Sequence, residues 1–302
     1  MDTKKFYYLY FKVRNEEKET ILREANLTEE EYAALESELA ADVTRIKAER
    51  DSLSSIGQDF VQYTRYLYEP APDSAHGIPR PSAVQPLSGE IIQLPAVGVI
   101  PKPEMSLWQA IEQRRSLRAY SGEALTQEEL SFLLWSTQWV RDFRSTEKME
   151  VAFRNVPSAG ARHPFETYLL INRVQGIKPG IYYYHPLKHG LVLFKEGQQW
   201  AETVCRGAFD QEMVMHSAVT FIWTAIPHRT TWRYSQRGYR YLYLDAGHLG
   251  QNLHLAAEAI GAGTCMIGAF YDEGMNEILE LDGTTAFVIY MASLGKRNKE
   301  EN

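Results

Sequence analysis

Residues 218–225 (AVTFIWTA) and 287–294 (FVIYMASL) contain no charged side chain, so each reads as a strand buried on both faces. Between them, residues 239–259 read as a long buried helix that ends at Gly261 and Gly263. Residues 166–172 are strand-like, and 180–185 with 191–194 read as the two strands of a hairpin. Further helices open at Ser106 with Gln109 and at Thr126 with Glu129, each a cap with its partner three residues on. The expected class is α+β, a mixed central sheet flanked by helices.

The first hundred residues differ in character. Residues 16–68 are polar and helical. Thr28 and Glu31 form a capping box, and Tyr32, Leu35, Leu39, Val43 and Ile46 then recur as one apolar stripe. Eight of the chain's 13 prolines fall between 69 and 104, the mark of an extended linker or surface arm. The expected division is therefore an N-terminal helical extension with its Pro-rich arm over 1–103, followed by a domain over 104–302.

Composition removes several function classes. A net charge of −7 argues against a nucleic-acid footprint. Two cysteines without a CxxC pair argue against a zinc ribbon or a disulfide scaffold and suit a reducing compartment. Lys4 and Lys5 precede a short apolar run as in a signal peptide, but Lys12 and Arg14 follow with no cleavage pattern. No apolar run approaches ~18 residues, so no membrane span is expected and the location is read as cytoplasmic. GxxxxGK[ST], GxSxG and HExxH are absent, and no metal site is expected. The stretch 261–270 fails as a dinucleotide fingerprint because Met266 stands where glycine is required.

Three clusters remain. Arg114, Arg115, Ser116 and Arg118 concentrate phosphate-type donors at a helix end. A solvated basic helix terminus has the same composition. Pro157, Ser158, Ala159 and Gly160 are small enough for backbone to approach a flat ligand, although an ordinary loop is built the same way. The polar groups Asp245, His248, Gln251 and Asn252 on a buried helix must be paired, and His248 reads as structural.

In order along the chain, RRSLRAY (114–120), PSAGARHP (157–164), YRYLYLDAGHLGQNLHLAA (239–257), GTCMIGAFYD (263–272) and SLGKR (293–297) resemble the nitroreductase superfamily, and within it the SagB/ThcOx-type flavin dehydrogenases. The resemblance implies a nitroreductase-like fold, an intertwined homodimer, and FMN at the subunit interface. Arg114, Arg115, Ser116 and Arg118 would then hold the phosphate and the polar edge of the flavin, with Lys296 and Arg297 adding cations. Pro157, Ser158, Ala159 and Gly160 would line the ring from the partner subunit. Gly268 and Ala269 would present backbone N–H near flavin N5. Arg233 and Tyr234 would act on the substrate.

The implied activity is ping-pong hydride transfer through N5, from NAD(P)H to a nitroaromatic, a quinone or free flavin. One alternative is oxidation of azoline rings in a ribosomal peptide, with a modified peptide as partner. Azoline-oxidising members tend to carry a Lys-Tyr pair where this chain has Arg233-Tyr234, and arginine is a poor general base. A third reading is a non-enzymatic flavin- or partner-binding module.

Overall fold

The computed structural model describes residues 3–86, 89–146 and 150–298. Contacts divide the chain into two units, residues 1–69 and 70–302. In the first, α1 (Thr3–Lys12), α2 (Lys18–Glu24), α3 (Glu29–Ser52) and α4 (Ile56–Tyr63) follow one another. The Thr28–Glu31 capping box opens α3 as the spacing predicts. Tyr32, Leu35 and Leu39 are buried, and Tyr8 of α1 meets Tyr32 edge-on at 5.4 Å. Lys12 pairs with Glu36 at 2.6 Å.

The second unit begins with the Pro-rich segment. It contributes β1 (Ile91–Gln93) and leads to α5 (Leu107–Gln113) and α6 (Gln127–Thr137), both opened by the expected capping boxes. β2 (Val140–Ser145) and β3 (Glu150–Arg154) form a separate hairpin. Then come β4 (Phe165–Ile171), β5 (Gly180–His185), β6 (Gly190–Glu196), α7 (Gln199–Gly207), α8 (Met213–His216) and β7 (Val219–Ala225). The chain continues through α9 (His228–Tyr234), α10 (Gly238–Ala259), β8 (Ala262–Ile267), α11 (Asp272–Ile278) and β9 (Phe287–Lys296).

Seven strands make one sheet in the order β1-β6-β5-β4-β7-β9-β8. The strand ladders are antiparallel, and a parallel bridge from Ser116 to Thr264 joins the β8 edge. The two charge-free runs lie inside the sheet, between β4 and the β8 edge: every residue of β7 is buried, and β9 pairs beside it. One layer packs α6 and α10 on one face through Leu130, Leu134, Leu242, Leu249 and Leu253. The other face receives α7, α8 and α11 through Val204, Val214 and Met275.

The structure departs from expectation at α10. Leu242, Asp245, Ala246, Leu249 and Leu253 are buried, whereas Tyr243, Leu244, Gly247 and His248 are exposed. The helix has one inward face, and His248 lies on the other, 4.0 Å from Asp245.

Candidate active site

The segment after α5 is fixed against the β8 edge. The Leu117 N–H donates to the Thr264 carbonyl at 3.1 Å, and the Ser121 N–H donates to the Lys296 carbonyl at 2.9 Å. Glycine is required beneath it: a Cβ on Gly263 would lie 2.8 Å from Leu117 Cβ, and one on Gly295 would lie 2.7 Å from Tyr120 Cγ. The Tyr120 hydroxyl donates to the Leu117 carbonyl at 2.7 Å and locks the turn. Arg115, Ser116 and Arg118 are thereby left exposed and Arg114 half-buried. None of these three arginines has a carboxylate partner among the described residues. Burial, followed by the charge of Arg114, brings His254 down to about 4.

Lys296 and Arg297, expected as added cations at a phosphate, each have a carboxylate partner. Lys296 is paired with Glu129 and also donates to the Ile260 carbonyl at 3.0 Å. Arg297 meets both oxygens of the buried Glu258 at 2.5 Å. Each therefore carries a counter-charge that a phosphate would share. Among the described residues, Arg114, Arg115 and Arg118 are the cations of this segment without a carboxylate partner.

The loop from Pro157 is held by the inward face of α10. Ser158 Oγ donates to Asp245 at 2.6 Å, and the Ala159 N–H reaches the same carboxylate at 3.2 Å. Burial pushes the Asp245 carboxyl up, while these hydrogen bonds work the other way. Gly160, Ala161 and His163 take left-handed φ values of 59°, 51° and 45°. Tyr234 lies directly against Gly160: a Cβ there would collide with the hydroxyl and come within 3.2 Å of Cζ. Tyr234 is itself set edge-on to Tyr241 at 5.0 Å, and the exposed Arg233 has its guanidinium 5.8 Å from the Tyr234 ring.

The structure thus brings Tyr234 to Gly160 of the 158–160 loop, with Arg233 beside the Tyr234 ring. Gly160→Ala is expected to displace the Tyr234 ring and destabilise the protein by about 1 kcal/mol or more, since the added Cβ meets both a ring and an unfavourable φ. In a Tyr234→Ala background the penalty should shrink to the backbone contribution alone, which a double-mutant thermal-unfolding cycle measures. An unchanged penalty would remove the contact from the account.

Gly268 and Ala269 follow β8 and are exposed, with the Ala269 carbonyl accepting from Gln211 at 2.9 Å. They leave the same end of the sheet as the 157–164 loop, because Ile267 pairs with Met291 while Phe165 pairs with Ala225 and Ala225 with Phe287. Strands β7 and β9 stand between β4 and β8, three strand spacings or about 14 Å.

Beneath α9 lies a charge cluster that has no local sequence signature. Glu166 is 2% exposed and accepts from Arg229 at 2.5 Å, from the Tyr183 hydroxyl at 2.6 Å and from the Gln85 N–H at 3.1 Å. Arg154 is buried beside it, bonded to Gln138, and burial brings its guanidinium down to about 10. His163 is pushed well below its ordinary value by burial and then by Arg154, Arg162 and Arg229. Arg229 also donates to the Ser82 carbonyl and Trp232 to the Ile78 carbonyl, both at 2.8 Å. The Pro-rich segment therefore braces α9. No group of three His, Cys, Asp or Glu side chains suited to a metal ion occurs among the described residues. No helix there is long and apolar enough to cross a membrane.

The sequence profile of the Nitroreductase family matches residues 111–296. MJ1384 of Methanocaldococcus jannaschii, a nitroreductase by name, is 35% identical over 190 residues, 63% of this chain and 89% of that protein. The trifolitoxin-processing protein TfxB of Rhizobium leguminosarum bv. trifolii is 28% identical over 174 residues, 53% of this chain and 45% of TfxB. A solved structure from Anabaena variabilis, also a nitroreductase by name, superposes with a TM-score of 0.54 at 32% identity, covering 64% of this chain and 38% of that one. The chain spans most of MJ1384 and less than half of the other two.

Proposed function

The chain belongs to the nitroreductase family, and on that premise we propose that it is an FMN-dependent oxidoreductase moving hydride between NAD(P)H and a small organic acceptor. The observation that carries this reading is the cation inventory at the β8 edge. Arg114, Arg115 and Arg118 flank Ser116 in the chain and have no carboxylate partners among the described residues, a donor set suited to a phosphate dianion. When bound, FMN supplies a two-electron hydride carrier.

The remaining chemistry belongs to the chain. Ser158, Ala159 and Gly160, held by Asp245, offer a flat small-residue surface. Exposed backbone at Gly268 and Ala269 supplies N–H donors where negative charge develops. Tyr234 can donate a proton or a hydrogen bond to the substrate, and Arg233 can stabilise negative charge on it. Segments 158–160 and 268–269 adjoin β4 and β8, three strand spacings or about 14 Å apart in one sheet, which supports a homodimer in which each site draws on both subunits. So do the exposed side chains of Leu107, Trp108, Ile111, Tyr243 and Leu244. Sedimentation analysis reads that state directly, and a monomer at assay concentration would contradict it.

Steady-state kinetics with NADPH and a nitroaromatic test the activity. Parallel double-reciprocal lines are expected, because donor and acceptor use one site in turn. No turnover with any nitroaromatic, quinone or flavin acceptor would contradict the reading.

A second reading is favoured by the similarity to TfxB: dehydrogenation of azoline rings in a modified peptide. Arg233 stands against it, because a guanidinium is a poor general base. Turnover of a thiazoline peptide would establish it, and its absence would leave the small-acceptor reading.

A further inference from the structure

The 158–163 loop and α9 enclose more positive charge than they neutralise. Arg162 is only 7% exposed. Its Nε donates to the Arg229 carbonyl at 2.8 Å, and its guanidinium carbon lies 5.1 Å from the Trp232 ring centroid. Two independent contacts therefore fix the plane of the guanidinium. No carboxylate pairs with Arg162 or Arg233 among the described residues.

The charges around Arg162 are mostly of its own sign. Burial first, then the charges of Arg233, Arg80 and Arg229, hold its guanidinium below the ordinary value. Three acids near these arginines are already engaged. Glu166 accepts from Arg229 and Tyr183, Glu150 from Arg80 and the Ala83 N–H, and Asp245 from Ser158 and Ala159. One Nη1 on each of Arg80 and Arg229 is buried without a hydrogen-bond partner. Arg80 and Arg229 keep their carboxylates, whereas the buried Arg162 has none among the described residues, and a buried cation without counter-charge calls for an anion. Arginine forks present paired donors to an oxyanion.

We infer that Arg162 and Arg233 form an anion subsite beside Tyr234, which receives a carboxylate or phosphate group of the substrate. This rests on the reading of Tyr234 and Gly160 as the substrate side of the flavin site. It narrows the substrate class: the acceptor is an organic acid, or the donor is engaged through a phosphate. Trp232 and Tyr234 supply the aromatic surface next to the charge.

The test uses the full chain loaded with FMN. Titration with 4-nitrobenzoate and with the neutral 4-nitrobenzamide is followed by perturbation of the flavin absorption spectrum. NADPH and NADH are compared in the same way under anaerobic conditions. One member of at least one pair, the acid or the 2′-phosphorylated dinucleotide, should bind about 10-fold tighter than its partner. Arg233→Gln, an exposed position, should abolish that preference while leaving FMN affinity within about 2-fold. Arg162→Gln should do the same if it folds, and Arg233→Gln carries the test if it does not.

A preference confined to the acid assigns the subsite to the acceptor, and one confined to NADPH assigns it to the donor; both support it. No preference in either pair would overturn the subsite while leaving flavin reduction, and with it the enzymatic reading, intact. A loss of FMN affinity of about 10-fold or more in Arg233→Gln would place these arginines on the cofactor's phosphate and overturn the proposal. If the chain binds no FMN, the enzymatic reading falls, and calorimetry with 4-nitrobenzoate and 4-nitrobenzamide decides the subsite alone. There the same preference and its loss in Arg233→Gln support it, and equal affinities overturn it.

Discussion

Glu166→Ala is expected to lower the unfolding free energy by about 3–5 kcal/mol, the range for removing one partner of a buried ion pair. Glu166 and Arg229 are each 2% exposed, and Arg154 is buried at their side. Without the carboxylate, the buried Arg154 and Arg229 lose the charge of Glu166, and the Tyr183 hydroxyl and Gln85 N–H lose their acceptor. Tyr183→Phe removes one hydrogen bond and should cost about 1–2 kcal/mol. Replacing Glu166 and Arg229 together with apolar residues of similar volume should recover much of the loss, because the cost lies in the unpaired charge. Denaturant unfolding at constant pH measures all three. A loss below about 1 kcal/mol in Glu166→Ala would mean that the pair contributes little and that the Pro-rich segment is held by other contacts.

The second large effect concerns cofactor affinity. Arg114→Gln with Arg118→Gln is expected to weaken FMN binding by about 100- to 10,000-fold, since each charge-assisted hydrogen bond is worth about 1.5–3 kcal/mol. Lys296→Gln should weaken it far less, because Lys296 is paired with Glu129. Flavin fluorescence titration separates the two. Equal effects of the double variant and Lys296→Gln would show that Lys296 leaves Glu129 for the phosphate. An unchanged affinity in the double variant would place the phosphate elsewhere.

The central strands were legible because burial on both faces leaves a simple mark: neither 218–225 nor 287–294 carries a charge. The capping boxes at Thr28, Ser106 and Thr126 were legible because the chemistry is local. Strand β8 was not read as one. Its glycine-rich start resembles a turn, yet Gly263 is there to admit Leu117. The exposed face of α10 was also missed, because an apolar helix looks buried all round when its Tyr243 and Leu244 have no marked exposure in the sequence.

At the candidate site, the motifs located Ser158, Gly160 and Tyr234 but not their mutual contact. The Arg229–Glu166 pair spans 63 positions and the Gln85–Glu166 bond spans 81, so no local window contains either. Lys296 and Arg297 read as free cations because Glu129 and Glu258 are 167 and 39 positions away. The Pro-rich segment read as a linker or arm. Its edge strand and its hydrogen bonds to Arg229 and Trp232 depend on residues far along the chain.

The most direct test of the enzymatic reading is the visible absorption spectrum of the purified protein before and after anaerobic NADPH or NADH. A flavin band that bleaches on addition of a nicotinamide donor is the predicted result. A flavin band that persists would keep the cofactor but point to hydride supplied by the substrate itself, as in peptide dehydrogenation. Protein that stays colourless after incubation with FMN and removal of unbound flavin would contradict the account.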